Sequence, residues 1–202
     1  SFKGLQFVDE GYRLEGAGQL LVDGSTRADG NAEIRVLADR AVIATEIAGR
    51  GGITKTEAGT LVLSGANSYS GGTRILGGAV EVTSAGNLGS TVGELVLDGG
   101  TLRTTASFGS ARRTTIGSGH GAFDVGAGTM LALSGNISGP GDLVKQGAGT
   151  LMLAGDNTYA GARVEAGILV GSSNSISGTV RNAGTVVFDQ TGIPGVSKGT
   201  SC

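Results

Sequence analysis

Residues 47–71 read IAGRGGITKTEAGTLVLSGANSYSG, and residues 137–161 read ISGPGDLVKQGAGTLMLAGDNTYAG. Aligned at an offset of 90, thirteen of the 25 positions are identical, where this composition gives about two or three by chance. Eleven of the thirteen odd positions match, while among the twelve even positions only Ala58 and Thr60 recur, as Ala148 and Thr150. A period of two belongs to an extended chain with one side packed and the other wet. The block is therefore strand, and its repeated side is the expected interior.

The similarity runs on beyond the two blocks. With a one-residue slip it reaches Gly78 and Gly167, and upstream it sets Ile34-Arg35-Val36 against Phe123-Asp124-Val125, so the copies occupy about 30–82 and 119–170. Short alternating runs such as Thr60-Leu61-Val62-Leu63, Ala79-Val80-Glu81-Val82, Glu94-Leu95-Val96-Leu97 and Thr150-Leu151-Met152-Leu153 are separated by Gly, Asn, Asp and Ser clusters, the pattern of strands and turns. No stretch carries a capped, helix-period apolar stripe, which predicts almost no helix. A sandwich or barrel has no need of a long block recurring with its inward side preserved. Stacked coils do, because each coil buries its apolar row against its neighbour. The expected fold is an all-β solenoid of about 8–10 coils, each of about 20–25 residues, forming a rod on the order of 40–50 Å long.

Composition supports one folded domain over 1–191, with 192–202 as a C-terminal extension outside the pattern. Glycine supplies 40 of 202 residues, which demands many tight turns, and the eight aromatics include no Trp, so the core must be aliphatic and thin. There is no Gly-X-Y period, and a net charge of -2 with regular Leu, Val and Ile excludes a disordered chain. The 15 Lys and Arg are dispersed, which leaves no footprint for nucleic acid or anionic lipid. Cys202 is the single cysteine and excludes an intrachain disulfide. No signal peptide opens the chain and no run of 18 apolar residues occurs, so neither direct membrane insertion nor an export signal of its own is expected. The chain reads as a piece of something larger.

The second copy, Asp142-Leu143-Val144-Lys145-Gln146-Gly147-Ala148-Gly149-Thr150-Leu151-Met152-Leu153-Ala154-Gly155-Asp156-Asn157-Thr158-Tyr159 followed by Gly161, Val164 and Gly167-Ile168-Leu169, resembles the passenger-associated transport repeat of bacterial autotransporters. The first copy keeps Lys55, Gly59-Thr60-Leu61, Asn67 and Tyr69, and departs at Glu57 and Ser68, where glycine and threonine are usual. Gly4-Leu5-Gln6-Phe7, Leu97-Asp98-Gly99-Gly100-Thr101-Leu102-Arg103, Gly121-Ala122-Phe123-Asp124-Val125 and Ala183-Gly184-Thr185-Val186-Val187-Phe188 also look like passenger sequence, extending the resemblance from residue 4 to about 190. It implies a right-handed, single-stranded parallel β-helix, exported through the periplasm and helped across the outer membrane by a C-terminal β-barrel outside this chain. The repeat is associated with secretion and folding, and such passengers are often adhesins or stalks. Scarce cysteine suits that route, since a chain threaded unfolded through a pore avoids disulfides and adds its coils one by one.

Polysaccharide-cleaving β-helix enzymes need carboxylates converging on one face; Asp98, Asp124, Asp142, Asp156 and Asp189 are available, but Asp98, Asp142 and Asp156 adjoin glycine or asparagine and read as turn formers. His120, in Gly117-Ser118-Gly119-His120-Gly121, has no second histidine or nearby thiolate and reads as a solvent-facing turn residue. No Gly-X-Ser-X-Gly elbow occurs, and the Gly-X-Gly phrases precede strands, not the helix that phosphate binding uses. Gly139-Pro140-Gly141-Asp142-Leu143 is similar to one calcium nonapeptide but is not tandemly repeated, and Asn136-Ile137-Ser138 is too short a glycosylation acceptor to carry weight. Lys55 and Lys145 fall on the repeated side, where an unpaired amine is costly. The preferred reading is a corner residue with its stem along the coil edge, the alternative being an amine held by carbonyls. Asn67 and Asn157 suit a tight, left-handed turn, with Tyr69 and Tyr159 covering the edge beside it.

No catalytic, metal or cofactor-binding residue is assigned, and no cofactor. The expected function is a non-enzymatic, surface-displayed stalk that supports secretion and folding. It would adhere to a host-cell or matrix receptor, or to itself, through even positions that drift between copies, such as Arg50, Thr54, Thr56 and Ser70. The expected location is the bacterial surface or outer membrane, with release from the cell as a variant. The alternative is a polysaccharide-degrading β-helix enzyme or spike.

Overall fold

The computed structural model describes residues 1–23 and 30–189; Cys202 and the extension 192–202 lie outside the described residues. Aliphatic residues alternating with polar ones form short strands, and each pairs in parallel with a strand one coil away. The strands fall on three faces. The first stacks Gly4–Phe7, Asn31–Val36, Gly52–Thr56, Thr73–Ile75, Leu95–Leu97 and Thr114–Ile116. The second stacks Arg13–Leu14, Arg40–Ile43, Thr60–Leu63, Ala79–Val82, Thr101–Thr104 and Gly121–Val125. The third begins with Gln19–Leu21 on Glu46–Ala48 and resumes with Phe108–Ser110, Met130–Leu133, Thr150–Leu153, Ile168–Gly171 and Thr185–Phe188. The ten-residue strand Ile137–Gln146 turns a corner, joining the first two faces into one 15-stranded sheet. The result is a β-solenoid of about eight turns. As expected it has almost no helix: the described residues contain one 3-10 turn, Ala85–Leu88.

The interior is a set of side-chain ladders. On the second face Ala41, Leu61, Val80, Leu102 and Phe123 lie in register, and on the third Leu131, Leu151 and Leu169 do; all of these are buried. Coils about 4.8 Å apart leave each rung in contact with the next. The core is aliphatic, as the composition requires, with Phe7, Tyr69, Phe123 and Tyr159 as its buried aromatics.

The repeated glycines mark where corners of adjacent coils touch. Gly49 and Gly139 adopt φ of 120° and 129°, and a Cβ there would lie 2.0 Å from the Val22 carbonyl oxygen and 2.1 Å from that of Ile116. No side chain fits either place, so the glycine recurs in both copies.

Candidate functional site

The repeated polar residues come first, because a repeated polar group is the usual sign of a site. Lys55 and Lys145 are both fully buried and stay on the inward register. Lys55 stands in the ladder between Ile34 and Ile75, and Lys145 between Phe123 and Val164. The Lys55 amine donates to the carbonyls of Thr56 (2.8 Å), Glu57 (2.8 Å) and, one coil on, Gly77 (3.2 Å). Lys145 repeats this with Gln146 (2.7 Å), Gly147 (2.7 Å) and Ala166 (3.2 Å). The edge-packed stem preferred from sequence is thus corrected, since three carbonyls satisfy all three donors and let the amine remain inside. Burial pushes the Lys55 amine down to about 8, with the Glu57 carboxylate opposing. Burial also lowers that of Lys145, with Asp124 opposing. Neither amine is reachable by a substrate.

Asn67 and Asn157 also differ from expectation. The non-glycine residues with positive φ among those described are Glu57 and His120, so neither asparagine is left-handed. Each instead links three coils. Asn67 Oδ1 accepts the Ile47 N–H (2.8 Å) and its Nδ2 donates to the Asn87 carbonyl (2.5 Å); Asn157 Oδ1 accepts the Ile137 N–H (2.7 Å) and its Nδ2 donates to Ser175 (2.7 Å). Tyr69 and Tyr159 lie inside the coil and not along its edge. The Tyr69 hydroxyl bonds Thr73 Oγ1 at 2.6 Å, and that of Tyr159 donates to the Ser175 carbonyl at 3.2 Å. Burial raises both phenols, Tyr159 to about 12.

A third internal cation escaped the sequence analysis. Arg112 is buried and donates to the carbonyls of Gly89 (2.9 Å), Ser90 (2.6 Å) and Gly93 in the preceding coil. It lies outside both repeat copies, so no periodic signal marked it.

The two copies do not stack upon one another. Leu61 pairs with Ala41 and Val80 on the second face, whereas its counterpart Leu151 pairs with Leu131 and Leu169 on the third. Lys55 and Lys145 likewise occupy the first and second faces. The offset of 90 residues equals four coils plus one face. Corresponding outward residues therefore point about a third of a turn apart, and the repeated block builds no common binding surface. What it repeats is its interior.

The remaining candidates lie outside. Successive coils bring Asp98, His120 and Asp142 to one corner, where Asp98 and His120 accept from backbone N–H groups and the Asp142 carboxylate lies 3.9 Å from Arg163. Asp98 Oδ1 accepts the Gly119 N–H at 2.7 Å, and His120 Nδ1 accepts the Asp142 N–H at 2.9 Å. His120 is half exposed, as expected. With Gln146, Arg163 and Glu165 it borders a shallow, glycine-floored groove of about 270 Å³. Asp124 pairs with Arg103 at 2.9 Å, within an outward charge ladder where Arg40 also grips Glu81 at 2.9 Å. Asp156 stands exposed at its turn, away from that corner, and Asp189 ends the third face with its N–H bonded to the Gly171 carbonyl at 2.8 Å. Of the even positions, Arg50 is exposed and Thr56 and Ser70 half exposed. Thr54 is buried, with its hydroxyl accepting from Asn31 at 3.3 Å, and drops out of the surface. No group of three metal-ligating side chains is found among the described residues, and no described helix is long and apolar enough to cross a membrane.

Comparison with known proteins adds independent evidence. The family model described as Passenger-associated-transport-repeat matches residues 53–82 and 143–170, each within a copy found by self-comparison. The protein described as Adhesin BmaC autotransporter, from Brucella suis biovar 1 (strain 1330), is 40% identical over 210 residues, covering 94% of this chain and 6% of that protein. No solved structure matches. Two matched repeats, a parallel β-solenoid and identity along nearly the whole chain together place it among autotransporter passenger segments that carry passenger-associated transport repeats.

Proposed function

We propose that this chain is a non-enzymatic segment of an exported adhesin: a stiff rod held at the bacterial surface by a C-terminal β-barrel outside these residues, with a host-cell or matrix receptor as partner. One observation carries the proposal. The buried polar side chains retained between the copies (Lys55 and Lys145, Asn67 and Asn157, Tyr69 and Tyr159) spend their hydrogen bonds inside the solenoid. The name of the 40% identical relative supports adhesion. The enzymatic alternative draws no support from the carboxylates, because Asp98 is engaged by backbone, Asp124 and Asp142 lie beside arginines, and Asp156 stands apart at its own turn.

The test is whole-cell binding to host cells and matrix proteins with this segment deleted and the barrel intact. Reduced binding at normal barrel levels is the expected result. Unchanged binding and export would make the segment a spacer and overturn the receptor assignment. Reversal of Arg40, Glu81, Arg103 and Asp124 then asks whether the charged second face takes part.

A further inference from the structure

His120 is the chain's single histidine and one of two described non-glycine residues with a positive φ, here 65°. Left-handed backbone is costly for a residue with a Cβ, and it recurs where the surroundings hold a side chain to a task. With that backbone the residue spans three coils at the corner between the first and second faces. Its carbonyl accepts the Gly99 N–H of the preceding coil at 2.7 Å, and its Nδ1 accepts the Asp142 N–H of the following coil at 2.9 Å. A ring nitrogen that accepts carries no proton, so the neutral ring holds its proton on Nε2.

We propose that His120 is an acid-opened link between coils: the neutral ring holds the Asp142 N–H, and a protonated ring releases it. Protonation fills the Nδ1 lone pair and turns an acceptor into a donor aimed at another donor. A second partner is at hand, since Asp142 Oδ2 lies 4.0 Å from Nδ1. The strand ladder is also irregular at this point. Ile137–Gln146 turns its corner here, and its register against the next coil shifts between Gly139 and Asp142.

Charged groups face the ring from each neighbouring coil. Asp98, one coil before, accepts the Gly119 N–H at 2.7 Å; it does for its neighbour what His120 does for the next, through a group that accepts whether or not it is protonated. Asp142 also lies 3.9 Å from Arg163, one coil further on. Glu165 borders the same groove and accepts from Gln146 at 2.9 Å. Asp124, on the strand that follows His120, is taken up by Arg103 at 2.9 Å. A turn of the imidazolium toward Asp142 therefore draws that carboxylate from Arg163 and adds positive charge to the groove rim. The rod gains one place whose packing and surface charge answer to acidity between about pH 8 and pH 5, where histidine ordinarily changes charge.

Amide hydrogen exchange in the isotope-labelled chain tests the link, read by nuclear magnetic resonance at about pH 7.5 and pH 5.0 and corrected for the intrinsic pH dependence of exchange. Protection of the Asp142 amide falls at least about fivefold at the lower pH, while that of Gly119, held by Asp98, stays within about twofold. His120→Asn puts an amide oxygen close to the place of Nδ1 and tolerates the left-handed backbone. It keeps the Asp142 amide protected at both pH values. His120→Ala leaves that amide unprotected at both, with circular dichroism at the parent value. Should the alanine variant unfold, His120→Asn and the Gly119 amide still decide the question. Parent protection at Asp142 that ignores pH, a fall that persists in His120→Asn, an equal fall at Gly119, or full protection in a folded His120→Ala would overturn the proposal. No receptor is in the assay, so the adhesin reading stands or falls separately.

Discussion

Replacing Asn157 by alanine removes one side chain and disturbs three coils. The Ile137 N–H, at 1% exposure for its residue, loses the Oδ1 acceptor it holds at 2.7 Å. A buried amide left without a partner costs about 1–3 kcal/mol. The Ser175 carbonyl loses the Asn157 Nδ2 donor but keeps the Tyr159 hydroxyl at 3.2 Å, so its share is nearer the net value of one hydrogen bond, about 1 kcal/mol. The expected loss is therefore about 2–4 kcal/mol in urea unfolding, with the slope of the transition unchanged. Asn157→Asp preserves the acceptor for Ile137 but turns a second oxygen toward Ser175, so it should not restore the parent. Native-state hydrogen exchange locates the effect: protection of the Ile137 amide falls, while that of Leu61 on an earlier coil of the second face changes only if unfolding is global. A change below about 0.5 kcal/mol with Ile137 still protected would refute the assignment of Asn157 as a coil-to-coil link.

Three further outcomes follow from the same geometry. Glu57 holds a left-handed φ of 69° where the second copy has Gly147, so Glu57→Gly relieves about 1 kcal/mol of strain against an exposed Arg35 pair of comparable worth. Its thermal midpoint should move little. Gly147→Glu should instead cost several degrees, because a Cβ there would lie 2.3 Å from the Val125 carbonyl oxygen. Arg112→Met strips donors from the carbonyls of Gly89, Ser90 and Gly93 and should cost about 2–4 kcal/mol in urea unfolding; an unchanged midpoint would show those carbonyls to be satisfied by water. Stability should also depend on pH. The Lys55 amine is lowered to about 8 when folded, so the unfolded chain binds more protons between about 8 and 10.4, and stability rises with pH by up to about 1.4 kcal/mol per unit. The phenols of Tyr69 and Tyr159 are raised on folding, so above about pH 10 the unfolded chain loses protons first and stability falls. Urea midpoints at pH 7, 9 and 11 should rise and then drop; a steady fall from 7 to 9 would contradict the lysine assignment.

The alternation in residues 47–71 was enough to establish strand, solenoid and inward side, because a buried face constrains every second residue and a repeat exposes the constraint. Odd positions such as Ile47, Leu61, Leu63 and Tyr69 are indeed buried, and Arg50 and Ser64 exposed. Beyond that, local sequence could not say where a polar side chain finds its partner. Lys55 reaches Gly77, Asn67 reaches Asn87, and Arg112 reaches Gly89, each about one coil away. Those separations are set by coil length, which varies, so the partners emerge only when the coils stack. For the same reason Thr54, placed on the outer side by its parity, is buried. The rotation of the copies was likewise invisible in the alignment. Ninety residues look like one repeat in sequence, but divided among three faces they come to four turns and one side more, and only the folded rod decides which way each copy faces.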